Sequence, residues 1–206
     1  MVVFRKETQN MKFKSYSQAR QDEFVVGVLD GKRDGIYADI GAGDPEAISN
    51  TITLEREFGW NGILCDIETA PKLRKHRKAK LIYGDFFAVE WSKSFALAAP
   101  NGRVDYLSLD LEPPELTLLA LTALPLATTR FSVATIEHDA YRNNGNIRYA
   151  MRGLMKAHGY ELVAADVGVK CGATSVPFED WYIDPTYISL SHARAVARSM
   201  TAGVLQ

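Results

Sequence analysis

Cysteine is nearly missing from this 206-residue chain: there are two, which excludes a disulfide-stapled fold and gives no cysteine spacing suited to a metal. Cys65, inside an apolar segment, reads as a buried free thiol. Neither sign of charge dominates, with 24 Lys+Arg against 25 Asp+Glu, so nothing draws the whole chain toward nucleic acid or an anionic membrane. No apolar run approaches the ~20 residues of a membrane span, and Met1 to Ser15 is too polar for a secretory signal. Repeats, low-complexity tracts and linkers are missing too. The expectation is a cytoplasmic protein with no membrane contact. It should form one domain over residues 1–206, with an N-terminal arm (1–14) and a C-terminal helical tail (185–206). With 47% hydrophobic residues, the chain can bury one core of useful size.

What is present is an alternation of short apolar runs and amphipathic stretches. Ser17 predicts a helix start, with Phe24, Val25 and Val28 as its apolar stripe. Strands are expected at Gly35–Ile40, Gly62–Cys65, Leu81–Tyr83, Val104–Leu109 and Phe131–Ile136. Between them lie helices: one capped by Ser49 or Asn50 and ended at Gly59, a basic one near Pro71–Arg77, one at Trp91–Ala98 and one opened by Pro114. A helix from about Ile147 to His158 precedes two extended segments, Tyr160–Val167 and Phe178–Ile183, placed to pair as a hairpin. Together these predict an α/β fold, a Rossmann-like, doubly wound, mostly parallel seven-stranded sheet with a C-terminal antiparallel β-pair. Ligands of such sheets bind at the carboxyl ends of the strands.

Those ends carry acids. Strand one ends in Asp39-Ile40-Gly41-Ala42-Gly43, strand two at Asp66, strand three at Asp85, strand four at Asp110 with Glu112, and strand five at Glu137-His138-Asp139. The glycines let a ligand approach the backbone closely. A carboxylate beside them disfavours a pyrophosphate but suits the sulfonium and ammonium of S-adenosyl-L-methionine. Asp66 follows Gly43 at the distance where doubly wound folds place the acid that bonds ribose hydroxyls, and Asp85 can accept from an adenine amino group. A nicotinamide dehydrogenase is disfavoured: its fingerprint needs a small residue where this chain has Glu46.

Several segments resemble the FkbM-type methyltransferases, a branch of the class I S-adenosylmethionine-dependent fold. They are Ser17-Gln18-Ala19-Arg20-Gln21-Asp22, Tyr37 through Asp44, Ser49-Asn50-Thr51 with Leu54-Glu55, Gly59-Trp60-Asn61-Gly62-Ile63, Asp105 through Glu112, Ile136-Glu137-His138, Gly159-Tyr160 and Glu179-Asp180-Trp181-Tyr182. The resemblance implies a donor held by Asp39, Gly41, Gly43, Asn50, Asp66 and Asp85, with Asp110 and Glu112 beside the reacting methyl group. It also implies a carbohydrate, glycan or related small-molecule acceptor. The chain departs from the family pattern at Pro45 and at Pro113-Pro114, which remove backbone N–H donors from two site loops.

His138 is read as the general base, because imidazole titrates near neutrality; Asp110 is the second candidate. Alternatively Asp110, Glu112, Glu137 and His138 form a hard-cation site for magnesium or manganese. The run Lys72–Lys80 reads as a solvated helix face, and nucleic acid as an unlikely partner, since no aromatics interleave with the charges. Two alternatives stay open: methylation of nucleic acid or protein, and a catalytically silent donor-binding module.

Overall fold

A computed structural model describes residues 13–142, 146–172 and 174–202. Most of the expected N-terminal arm, Asn143 and Asn144 of the polar loop after strand five, and the end of the C-terminal tail fall outside these residues. In chain order the elements are α1 (Gln21–Val28), β1 (Ile36–Ile40), α2 (Ile52–Phe58), β2 (Asn61–Cys65), α3 (Ala70–His76), β3 (Leu81–Tyr83), α4 (Trp91–Ala98), β4 (Arg103–Leu109), α5 (Pro114–Ala123), β5 (Arg130–Glu137), α6 (Asn146–Ala157), β6 (Glu161–Cys171), β7 (Thr174–Ile183) and α7 (Leu190–Ala202).

The seven strands form one sheet in the order β3-β2-β1-β4-β5-β7-β6. The first five are parallel, and β7 runs antiparallel between β5 and β6. This is the expected doubly wound sheet with its antiparallel pair. Helices cover both faces, which is why β1, β2, β4 and β5 read as nearly unbroken apolar runs. Phe24, Leu54, Leu73 and Ala193 from α1, α2, α3 and α7 pack on one face. Trp91, Phe95, Leu121 and Met151 from α4, α5 and α6 pack on the other. Trp181 stacks on Phe24 with centroids 4.3 Å apart, so it belongs to the core.

Three local expectations need correction. Helix α1 starts at Gln21, with Arg20 in the left-handed region ahead of it. Ser17 lies further out; it donates to the buried Asp22 carboxylate at 2.6 Å and accepts from the Asp22 N–H at 3.3 Å, so it holds the first turn of the helix without standing at its N-cap. The hairpin strands extend well past Val167 and begin well before Phe178; main-chain pairing holds these extra residues, and their side chains are largely exposed, so no apolar pattern announced them. Finally, Arg77 is not on a solvated face. It ends α3 with extended backbone at φ −114 and ψ 154, which turns its side chain inward and buries it. Its neighbours Lys72, Arg74, Lys75, Lys78 and Lys80 are exposed.

Candidate active site

Strand register brings the acids to one level. Ile40 pairs with Cys65 and Leu109, Cys65 with Tyr83, and Leu109 with Ile136. The next residues of the five strands therefore leave the sheet side by side, at the point between β1 and β4 where strand order reverses. A cavity of about 520 Å³ opens there. Of the site residues expected from sequence, Gly41, Gly43, Asp66, Asp85, Asp110 and Glu112 line it, whereas Asp39, Asn50 and His138 do not.

The two glycines serve different ends. Gly41 has φ +83, and a Cβ there would lie 1.5 Å from the Asp110 carbonyl oxygen, so close packing of β1 against the end of β4 forbids any side chain. Gly43 has φ +57 and nothing within 4 Å of the position its Cβ would take. It leaves open space in the cleft wall, where a ligand can meet backbone. The Gly43 N–H donates to Asp66 at 2.9 Å, and the Thr69 hydroxyl donates to the Gly43 carbonyl at 2.5 Å. The other Asp66 oxygen accepts from the amides of Glu68 and Thr69. Asp66 thus ties the glycine turn to the start of α3. Asp85 accepts from the Phe87 amide at 2.9 Å, fixing the short helical turn Phe86–Ala88 on the cleft wall.

Asp39 lies beneath the turn, buried, with Thr51 donating to it at 2.6 Å. Burial raises its pKa, and the Thr51 bond, the Arg77 charge and a Ser108 bond oppose the rise. Asn50 donates to Ser108 at 2.9 Å. Its Oδ1 is buried with no hydrogen-bond partner among the described residues. On the rim, Ile48 holds φ +55 while 64% exposed. A β-branched residue is strained there.

The far side of the cleft holds a second group of acids. Asp110 and Glu137 share a hydrogen bond, and burial pushes Asp110 up to about 6. Burial and the Asp110 charge drive Glu137 much higher, so the pair keeps a proton at neutral pH. Glu179 sits opposite Glu137 across β5 and β7 and is pushed up to about 8 by burial. Asp139 is buried, and Arg142 reaches it at 3.0 Å while also gripping Glu112 at 2.8 Å. Arg142 therefore bridges the loops that follow β4 and β5. The loop after β4, which carries Pro113-Pro114, is held by Thr117, whose hydroxyl accepts from the Leu111 N–H and donates to the Leu111 carbonyl.

His138 faces away from this cleft. Its Nδ1 accepts from the Ala140 amide at 3.1 Å, and its Nε2 lies 3.5 Å from Asp180 and 3.6 Å from Asp166. Arg152 pairs with Asp180 at 2.6 Å and Arg148 with Asp166 at 2.5 Å. The imidazole thus belongs to a buried ion network under α6, one residue out of step with Glu137 and Asp139, which do line the cleft.

Among the described residues, two triads have metal-like spacing: Glu112, Glu137 and Asp139, and His138, Asp166 and Asp180. Neither fits a divalent cation as it stands. In the first, Arg142 already neutralises two members; in the second, arginines occupy both aspartates.

Sequence reasoning missed Ile67 and Phe87, which line the cleft while 72% and 53% exposed. The signal was present, since each stands just beyond a strand-end acid, in Asp66-Ile67 and Asp85-Phe86-Phe87. It also passed over Glu137 and Asp139 as candidate catalytic groups in favour of the histidine between them.

Solved structures of other proteins share this architecture. A putative RNA methyltransferase from Pyrococcus horikoshii, PH1948, matches with TM-score 0.50 and 13% identity, over 81% of this chain and 83% of that one. TYW2 of M. jannaschii, in complex with AdoMet, matches with TM-score 0.45 and 12% identity over 84% and 77%. The mitomycin 7-O-methyltransferase MmcR matches with TM-score 0.45 and 15% identity over 81% of this chain and 53% of its own. The likeness is one of fold. No family model matches the chain, and no curated protein does.

Proposed function

We propose that this chain is an S-adenosylmethionine-dependent methyltransferase of the FkbM type, acting on a hydroxyl oxygen of a carbohydrate or related small molecule. The observation that carries the reading is one cleft, on a sheet shared with a methyltransferase, where an open glycine, strand-end acids and water-exposed apolar side chains meet a proton-sharing carboxyl pair. When bound, S-adenosylmethionine supplies a methyl group on a sulfonium, an electrophile for in-line attack.

The chain's own residues divide into a donor side and an acceptor side. On the donor side, Gly43 gives room against the backbone, Asp66 takes the ribose hydroxyls and Asp85 the adenine amino group. Ile67 and Phe87 offer apolar surface that the base would remove from water. Asp39 backs the glycine turn from below, and Asn50 donates to Ser108 beside it. On the acceptor side, Asp110 takes the proton of the attacking hydroxyl. Burial brings its proton affinity toward neutrality, as a base working near pH 7 requires. Glu137 keeps Asp110 oriented, and Arg142 with Glu112 and Asp139 frames the entrance.

The charge of the cleft supports a neutral acceptor. Its described lining includes Asp66, Glu68, Asp85, Asp110, Glu112, Glu137 and Asp139 with Arg142 as the single cation, a field that repels phosphates. The exposed cations Lys72, Arg74 and Lys75 of α3 are outside that lining, which weighs against nucleic acid. The Asp110–Glu137 pair weighs against a silent binding module, because burying two carboxyl groups in contact serves no packing need.

Calorimetric titration tests the reading. S-adenosylmethionine and S-adenosylhomocysteine should each bind with micromolar affinity, and the absence of binding by both would refute it. Turnover on a panel of glycans, small hydroxylated molecules, RNA and protein then decides the acceptor.

A further inference from the structure

Beneath the glycine turn lies a cation that neither the donor nor an acceptor would touch. The Arg77 side chain is 0% exposed. Its guanidinium donates to Thr51 Oγ1 at 2.9 Å, Glu55 at 3.2 Å, Ser49 Oγ at 3.3 Å, the Tyr37 hydroxyl at 3.4 Å and the Pro45 carbonyl at 3.5 Å. Three of these partners, Pro45, Ser49 and Thr51, belong to the one loop that joins the glycine turn to α2. Glu55 is on α2 itself, and Tyr37 on β1. Thr51 passes the contact on, donating its own hydroxyl hydrogen to Asp39 at 2.6 Å.

We infer that Arg77 is a positioning residue for donor binding: it holds the 45–51 loop under the glycine turn and, through the Thr51 hydroxyl, keeps the Asp39 carboxylate in place at the tip of β1. The inference rests on the donor reading above. A neutral side chain of equal length could fill the space but could not serve five oxygens at once. A buried guanidinium needs that many partners to offset its lost hydration.

The geometry has an electrostatic consequence. The groups facing Asp39 are Arg77, the acids Asp66 and Asp110, the phenols Tyr37 and Tyr106, and the hydroxyls of Thr51 and Ser108. Burial and the Asp66 charge favour the protonated form of Asp39, while Arg77 and the two hydroxyl bonds favour the carboxylate. Removing the Arg77 charge therefore raises the Asp39 pKa further. Any donor contact that needs the carboxylate is then lost first on the acid side.

The test is calorimetric titration of S-adenosylhomocysteine into wild type, Arg77→Met, Arg77→Lys and Thr51→Val at about pH 6 and about pH 9. Arg77→Met should weaken binding ~30-fold at the lower pH and only ~3-fold at the higher. Arg77→Lys should recover most of the acid-side loss because it restores the charge, though not the planar fork. Thr51→Val, which changes no charge and little volume, should show a smaller loss with the same pH trend, and it decides the matter if Arg77→Met does not fold. Equal losses at both pH values, or no loss in either Arg77→Met or Thr51→Val, would overturn the positioning role. Failure of wild type itself to bind would instead overturn the donor reading.

Discussion

Glu137 and Asp110 share a hydrogen bond at the place where β5 and β4 end side by side. Two adjacent buried carboxyl groups do not both ionise near neutrality, so Glu137 holds the proton and Asp110 the charge. As the base, Asp110 must be ionised. Turnover should rise with pH through about 6 and level off above it. Asp110→Asn should lower kcat by about 100-fold while leaving S-adenosylhomocysteine affinity near wild type. Glu137→Gln, which still donates to Asp110, should keep the midpoint near its wild-type position. Glu137→Ala should move it upward, because the donated bond favours the Asp110 carboxylate. A pH–rate profile of Asp110→Asn unchanged from wild type would remove the base assignment.

Ile67 and Phe87 predict a measurable share of donor affinity. Each leaves much of an apolar side chain in water at the cleft wall, and covering ~50 Å² of such surface contributes about 1 kcal/mol. Ile67→Ser and Phe87→Ala should each weaken S-adenosylhomocysteine binding by ~5-fold without lowering the melting temperature appreciably. Wild-type affinity in both variants would mean that the base binds elsewhere.

His138 should matter to stability and not to chemistry. His138→Gln should retain turnover within about threefold but lose about 1–3 kcal/mol of unfolding free energy, since it disturbs a buried polar network. Denaturant melts and steady-state rates separate the two effects. A rate loss of about 100-fold with an unchanged melt would restore the histidine to the reaction.

Asp184 supplies a pH-dependent part of the stability. Its buried carboxylate pairs with Arg103 and Arg130 at 3.1 Å each. Burial opposes ionisation, but the Arg130 and Thr186 bonds outweigh it and hold the pKa down to about 2. A depressed acid stabilises fully above its unfolded pKa of about 4 and loses that contribution as pH falls through the folded value. Asp184→Asn should therefore cost about 2 kcal/mol at neutral pH, and the gap from wild type should close in urea melts between about pH 4 and about pH 2. A constant gap would show that shape, not charge, is what Asp184 provides.

Arg142 supplies the positive charge at the second acid cluster, so a chelator should leave turnover within about twofold. Loss of about tenfold or more, restored by magnesium or manganese, would show instead that a cation works there.

Much of this molecule was legible in the residues. Apolar runs broken by glycine and by helix-starting residues placed the five parallel strands to within a residue or two, and each strand-end acid could be named. Those features are local: a strand's length, its bounding turn and the next residue in the chain all lie within a few positions. Which way a side chain points is not local. Glu137 and His138 are consecutive, yet side chains alternate along extended chain, so one residue decides between cleft and core. Only the pairing of β5 with β4 and β7 settles that choice, by setting Glu137 beside Asp110 and turning His138 toward Asp180. Arg77 makes the same point. In sequence it is one cation among six in Lys72–Lys80, and charge alone would leave them all in water. The chain leaves α3 in an extended conformation just there, and five oxygens from β1, α2 and the loop between them wait at one spot. The sequence by itself determined the strands and the acids at their tips; tertiary structure decided which charges face a ligand and which are buried, because burial depends on partners from distant parts of the chain.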